Sequence, residues 1–259
     1  MKKYIAGMIR QFIKKNHGGL TSEFRYRGEE QTRIETFSDA VFALAVTLMV
    51  LSSTIPKTYQ ELVNSLSDIV PFGICITLLT IIWYQHYIFF LRYGLRDAKV
   101  VVINTILLFF VLVYVYPLKF LFTFMFDLFS ALAFNDKQML DYLLKTVIKR
   151  DELNMRMVTY GLGAASIFLG LAWLYSVALK RKKDLSLYSI ELFYTRTSFY
   201  HNLIMASVPL LSIIVAFISI IQTVQRFSIA GFIYWLYPFI LPFFHAFRKK
   251  KLEQLRLKQ

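Results

Sequence analysis

Six long stretches of this sequence contain no charged residue, and they constrain the fold more than any other feature. A helix needs roughly 20 mostly apolar residues to cross the hydrocarbon core of a membrane, which is about 30 Å thick. The stretches range from 17 to 29 residues in a chain of 259, and a soluble protein of this length would have too little polar chain left to cover six such helices. The sequence therefore predicts an all-α integral membrane protein with six transmembrane helices. The stretches are 40–56, 69–91, 100–118, 157–179, 197–225 and 227–247.

The composition agrees with this class. Hydrophobic residues make up 57% of the chain and charged residues 18%, whereas ordinary soluble domains are about 45–50% apolar and about 25% charged. The single cysteine, Cys75, lies inside an apolar stretch. One cysteine excludes both an intrachain disulfide and a cysteine-based zinc site in a single chain.

Lysine and arginine lie mostly on one side of the six spans. With the N-terminus in the cytoplasm, the inner segments hold 22 basic residues and the outer segments hold 7. Cytoplasmic loops of membrane proteins retain such residues, so both termini are predicted to be cytoplasmic. The formal net charge of +14 then reflects topology and contact with anionic lipids, and no nucleic-acid partner is expected.

The same pattern divides the chain into three parts. Residues 1–33 are expected to form a basic cytoplasmic N-terminal segment, residues 34–247 the membrane domain, and residues 248–259 a basic cytoplasmic tail. Within 1–15, apolar residues recur at helical spacing between basic ones, which indicates an interfacial helix or, alternatively, a partly ordered tail. The expected spans are about 34–55, 68–91, 99–126, 156–179, 198–222 and 227–247.

Several polar residues fall at one depth in the first three spans. Asp39 lies shallowly on the cytoplasmic side of the first span, the second span brings Trp83 and His86 to the same cytoplasmic third, and Asn104 lies about one turn into the third. Trp83 and His86 are three residues apart and share a helix face. Because ionisable groups inside a membrane are costly, these residues are the first functional candidates.

The first span has two distinct faces when it is projected as a helix at about 100° per residue. A narrow stripe contains Leu44, Thr47 and Leu51, while Asp39 points to one side of the stripe and Ser38 points nearly opposite to it. This arrangement predicts that Ser38 and Asp39 tether the helix to its neighbours and do not bind an ion. Two alternatives remain for the stripe: its leucines pack against lipid or other helices, and Thr47 bonds its own helix carbonyl.

His201 opens the fifth predicted span and His245 closes the sixth. Histidines at such positions commonly act as polar anchors at the membrane interface, and this is the role expected for them.

The start of the first span resembles a known protein family. Arg33, Phe37, Ser38 and Asp39 match the Arg-x-x-x-Phe-Ser-Asp signature of the transmembrane protein 175 family of potassium channels. The position of the motif at the inner start of span one makes the match specific, as do the polar residues at its depth and the six spans. The resemblance covers residues 33–247 and is strongest over the first three spans.

The resemblance implies a pore built from first helices. In this family a hydrophobic residue five positions after the motif aspartate forms the constriction, and threonine often follows eight positions after it. These positions are Leu44 and Thr47 here, and a second leucine layer falls on Leu51. A single motif copy implies a homotetramer around a fourfold axis, with potassium ions passing transiently near Thr47.

The expected function is therefore passive conduction of potassium through a central pore with a hydrophobic constriction, in a prokaryotic plasma membrane. The expected partners are other copies of the chain, potassium ions and membrane lipids, with no cofactor, resident metal or catalytic residue. Two alternatives are a secondary transporter and a membrane-embedded enzyme that uses Arg33, Ser38, Asp39 and His86. Ser38 and Asp39 are adjacent on one helix and point about 100° apart, which makes a shared imidazole awkward.

Overall fold

The computed structural model describes residues 23–52, 56–147, 152–218 and 229–257; the interfacial helix predicted over 1–15 lies outside these ranges. The described residues contain no β-strand, and six of their helices are long and apolar enough to cross a membrane. This confirms the predicted all-α class and the number of spans. The helices are α1 (Arg33–Leu51), α2 (Tyr59–Ser67), α3 (Ile69–Tyr93), α4 (Ala98–Ala133), α5 (Lys137–Tyr142), α6 (Leu153–Lys180), α7 (Ser189–Ala216) and α8 (Tyr237–Arg256). The sixth candidate span, Ile229–Arg256, adds a short 3₁₀ turn, Ile233–Leu236, before α8.

A capping box fixes the start of α1. The backbone N–H of Glu35 donates to Thr32 Oγ1 at 3.4 Å, and the backbone N–H of Thr32 donates to Glu35 Oε1 at 3.1 Å. Each residue thus satisfies an N–H of the other that the first helical turn would leave without a partner. The box lies one turn before Ser38 and Asp39, so it also sets the position from which these side chains project.

The long helix α4 is the centre of the bundle. It packs against α1, α3 and α6, and α6 in turn packs along α7. With 36 residues α4 is about 54 Å long, which exceeds the hydrocarbon thickness, so one end projects from the membrane. The last span lies at the periphery, since only 6% of its apolar segment is buried within the chain.

Glycines allow α6 to approach its neighbours closely. A Cβ added to Gly161 would lie 2.6 Å from Cγ1 of Ile213 on α7, and one added to Gly163 would overlap the ring of Tyr114 on α4. At Gly170 an added Cβ would lie 3.1 Å from Leu107 Cδ1. Small residues at such positions let membrane helices pack by van der Waals contact, which is the main attraction available to them in lipid.

Three helices extend beyond the spans predicted from apolar runs. α4 continues past residue 126 to Ala133 and stops before Asn135, which has a positive φ of 54°. α7 begins at Ser189 and not near residue 198, and α8 continues past residue 247 to Arg256. Apolar length alone underestimates these helices, because charged residues continue a helix wherever they are solvated or paired.

The segment before α1 is held by ion pairs with the ends of α7 and α8. The buried carboxylate of Glu191 on α7 accepts hydrogen bonds from the backbone N–H of Arg25 at 2.9 Å and from Arg27 Nη2 at 2.8 Å. Arg256 near the end of α8 donates two bonds of 2.8 Å to Glu23. The chain that leads into α1 therefore has a fixed position at this end of the bundle.

A further ion pair joins the α3–α4 connection to the end of α6. The guanidinium of Arg181 donates to both carboxylate oxygens of Asp97, at 2.5 and 2.9 Å. These hydrogen bonds hold the pKa of Asp97 below its ordinary value. Asp97 also accepts from the backbone N–H of Lys99 at 3.2 Å and so caps α4.

Candidate functional site

The motif residues occupy the first two turns of α1 and divide between its two faces. Ser38 is completely buried and Asp39 is half-buried, whereas Arg33 and Phe37 are exposed on the surface of the chain. Ser38 and Asp39 are therefore the motif residues that face the neighbouring helices within one chain.

Ser38 belongs to a buried hydrogen-bond chain that crosses three helices. Nδ2 of Asn104 on α4 donates to Ser38 Oγ at 2.8 Å, and Oδ1 of the same amide lies 2.7 Å from Nε2 of His86 on α3. Ser38 in turn donates to the carbonyl of Ile34, one turn back on α1, at 2.8 Å. Ser38, His86 and Asn104 are each at most 2% exposed, so these bonds have no competition from water.

The bond directions follow from the atoms involved. An amide oxygen can only accept, so Nε2 of His86 carries the hydrogen and donates to Asn104. The His86 ring also packs against Phe42 of α1 and Phe90 of α3, with ring centroids 5.6 and 4.7 Å away. The imidazole thus contacts α1 through an aromatic ring and binds α4 through a hydrogen bond.

Asp39 forms a second, separate connection between α1 and α3. Its Oδ1 accepts from Nε1 of Trp83 at 2.8 Å, and its Oδ2 accepts from Gln31 Nε2 at 3.1 Å. Trp83 and His86 both point toward α1, yet they bind different partners. The polar residues at this depth therefore form two neighbouring groups, Ser38–Asn104–His86 and Asp39–Trp83.

These contacts do not resemble a hydrolase triad. Ser38 gives its hydrogen to a carbonyl and bonds Asn104, and Asp39 bonds Trp83, so His86 bridges neither of them. A nucleophilic mechanism requires a hydrogen bond from nucleophile to base and a third group that orients the base. Arg33, the fourth member of the enzyme hypothesis, is exposed and lies outside both groups.

The opposite face of α1 is exposed. Leu44 and Leu51 are 47% and 71% exposed, and Thr47 lies exposed between them. The hydroxyl of Thr47 donates to the carbonyl of Ala43 at 3.0 Å. The face with Val41, Phe42, Ala45 and Met49 is buried against the bundle.

One residue at the far end of α1 was not found from the sequence. Nζ of Lys119 on α4 donates to the carbonyl of Met49 at 3.0 Å and to Ser52 Oγ at 2.8 Å. The ammonium group lies at the C-terminal end of α1, where the helix dipole favours a positive charge. The available signal was a lysine inside an otherwise apolar run, which must find a partner at that depth.

A sequence model of a family described as endosomal/lysosomal potassium channel TMEM175 matches residues 33–115, which contain the motif and both polar groups. A curated protein of Marivirga tractuosa, named potassium channel, is 47% identical over 243 residues, covering 92% of this chain and 95% of that protein.

A solved structure has the same fold. It is a crystal structure of a variant of the potassium channel MtTMEM175 in complex with a nanobody fusion protein, and it shares 47% identity with this chain. The alignment covers 90% of this chain and 99% of that one, with a TM-score of 0.81. These relationships confirm the family inferred from the motif: the chain belongs to the TMEM175 family.

Proposed function

We propose that this protein is a potassium channel whose pore is lined by the exposed face of α1, with the constriction at Leu44. The observation that carries the proposal is the fixed orientation of α1 about its own axis, with one face against the bundle and the other facing away from it. Ser38 and Asp39 hydrogen-bond side chains of α4 and α3. On the opposite face, Leu44, Thr47 and Leu51 project from the chain. The relatives that share 47% identity with this chain are named potassium channels.

The pore forms between copies of the chain, as a homotetramer around a fourfold axis. Only 33% of the α1 membrane segment is buried within one chain, so most of its apolar surface faces outward. Four α1 helices around an axis would cover this apolar face and enclose a passage at the same time. The presence of a single motif copy supports the tetramer.

The orientation follows from the charges outside the membrane helices. The excess of Lys and Arg on one side supports cytoplasmic termini, in the plasma membrane of a prokaryote. Residues 1–33 and 248–259 then lie on the cytoplasmic side of the membrane domain 34–247. In this orientation the two polar groups lie near the cytoplasmic end of the pore and Lys119 lies near the outer end.

Four Leu44 side chains would form a narrow apolar ring. Such a ring gates by losing its water, because an ion cannot cross a dry constriction without replacing its hydration shell. Leu51 adds a second apolar layer two turns further along the same face.

Thr47 supplies oxygen atoms between these layers. Its hydroxyl gives its hydrogen to the Ala43 carbonyl, which leaves the oxygen lone pairs available to a cation. The Thr47 hydroxyl can therefore bond to its own helix and contact an ion at the same time. Four such oxygens would coordinate a partly dehydrated potassium ion.

The hydrophobic ring predicts the effect of a polar side chain at position 44. In planar bilayers the wild-type protein should show unitary current steps, and Leu44→Asn should raise the unitary conductance and lower potassium selectivity because the ring becomes wet. Leu162→Asn, at a leucine of α6 that is 50% exposed, is the matched control and should change neither property. Wild-type conductance and reversal potential in Leu44→Asn would contradict the constriction, and saturating flux without unitary steps would indicate a transporter.

The oxygen ring predicts a loss of selectivity without a loss of fold. Thr47→Ala should lower the potassium-to-sodium permeability ratio in bi-ionic reversal potentials, whereas Thr47→Ser should be much milder. Thr77→Ala removes an exposed hydroxyl of α3 with an equivalent bond to its own helix, at 2.8 Å, and should leave the ratio unchanged. Equal ratios for the wild type and Thr47→Ala would eliminate the ring of oxygens.

The buried polar groups predict a defect in stability and assembly. Asn104→Leu removes the acceptor of His86 and the donor of Ser38, and an orphaned buried polar group costs about 1–3 kcal/mol. The tetramer fraction on size exclusion and the unfolding temperature in detergent should both fall. Thr105→Val, at the adjacent exposed position, should preserve both the tetramer fraction and the unfolding temperature. If Asn104→Leu also preserved them, the hydrogen-bond chain would not hold α1.

A further inference from the structure

A second polar region lies inside the membrane domain, away from α1. It is an open cavity of about 270 Å³ between α3, α6, α7 and α8, and Arg92, His201, Asn202 and His245 are among its lining residues. A single water needs about 10–15 Å³ of such space, so the cavity is many times larger than one water. It is large enough to hold a small polar group and is not a packing defect.

The cavity contains most of the unsatisfied buried polar atoms of the described residues. Four buried side-chain atoms of the described residues have no hydrogen-bond partner, and three of them belong to residues that line the cavity: Arg92 Nε, His201 Nδ1 and Asn202 Oδ1. Asn202 is 1% exposed, and its amide nitrogen is already bonded to the Ser198 carbonyl at 2.9 Å. Such atoms normally bond to protein, water or a ligand, so their concentration at one cavity marks it as a candidate binding site.

The charge around the cavity is positive. Arg92 donates to Ser198 Oγ at 3.1 Å and lies over the rings of Phe24 and Tyr194, and within the described ranges it forms no ion pair with a carboxylate. The lining residues include no Asp or Glu. Arg248 lies close by, where its Nε donates to Thr197 Oγ1 at 2.8 Å. An anion would therefore be favoured over a cation or a neutral molecule.

The two histidines add hydrogen-bonding groups to this basic site. The rings of His201 and His245 are 5.3 Å apart, which is close enough for both to contact one ligand. Each imidazole can donate a hydrogen to an oxygen of an anion. The orphaned Asn202 Oδ1 has the opposite requirement, because it can only accept and needs a hydroxyl or ammonium hydrogen from the ligand.

We propose that this cavity binds the phosphate group of a phosphate ester that carries a net negative charge and a hydroxyl group. Arg92 and His201 donate to the phosphate oxygens, and the hydroxyl donates to Asn202 Oδ1. Arg92 is followed by Arg96 and Lys99, and Arg248 is followed by three lysines, so the site lies at the end of the bundle where basic residues concentrate. Basic cavities between membrane helices at this level bind lipid head groups, and a soluble phosphate ester is the other source of the same chemistry.

The test measures binding to the purified full-length protein in detergent. Native mass spectrometry with phosphatidylglycerol, which is anionic and carries hydroxyls, is compared with phosphatidylcholine, which is neutral overall and has no donor. We expect about tenfold or more tighter binding of phosphatidylglycerol, because both lipids offer a phosphate to Arg92 but only phosphatidylglycerol lacks a cationic group and can donate to Asn202 Oδ1. A parallel thermal-unfolding series with glycerol 3-phosphate distinguishes a soluble ligand from a lipid.

Arg92→Gln keeps a donor for Ser198 but removes the charge, and it should weaken phosphatidylglycerol binding and reduce the preference. Arg96→Gln removes a nearby exposed charge that does not line the cavity, and it should retain the preference. His245→Leu, at an exposed histidine, should weaken binding about threefold or more and provides the test if Arg92→Gln does not fold.

Binding of phosphatidylglycerol, or thermal stabilisation by glycerol 3-phosphate, that depends on Arg92 or His245 supports the site. The ligand that acts identifies its source. Equal binding of both lipids with no effect of glycerol 3-phosphate would overturn the proposal, as would equal losses in Arg92→Gln and Arg96→Gln. None of these outcomes depends on which ion the protein conducts.

Discussion

A polar group in the hydrocarbon layer must find its partner within the protein, because no water is present to supply one. In this protein that requirement fixes the first membrane helix. Ser38 is bonded through Asn104 to His86, and Asp39 is bonded to Trp83, so α1 is joined to both α3 and α4 at one depth. Rotation of α1 would break these bonds, and the opposite face of the helix is therefore held outward. The proposed pore depends on this orientation.

Both ends of α1 are also fixed, by different kinds of contact. At the N-terminal end, the capping box of Thr32 and Glu35 follows a segment that Glu191 binds through Arg25 and Arg27. At the C-terminal end, the ammonium group of Lys119 binds the last turn. These contacts set the position of the helix at both of its ends. A helix held at three levels could keep the side chains of the proposed pore ring in register.

The spans and the common depth of the polar residues could be predicted from the sequence, because charge-free length and the rise per residue determine both. The pairing could not be predicted. Trp83 and His86 share a face, but whether each bonds Asp39 or Asn104 depends on the rotation of α3 and α4 about their own axes. Lys119 carried a signal, a lysine within an otherwise apolar run, but its partners at the end of α1 could not be predicted. Glu191 was also missed, since its burial results from donors more than 160 residues away in the chain.

The central claim is that the exposed face of α1 lines the conduction path. It is tested most directly by cysteine modification in a Cys75→Ala background, which removes the only native thiol. Leu51→Cys lies on the proposed pore face, and Phe109→Cys is a similarly exposed position on α4, at 59%. A positively charged, membrane-impermeant thiol reagent added during recording should reduce potassium current through Leu51→Cys and leave Phe109→Cys unchanged. Unaltered current in Leu51→Cys after verified labelling, or block of Phe109→Cys alone, would contradict the account.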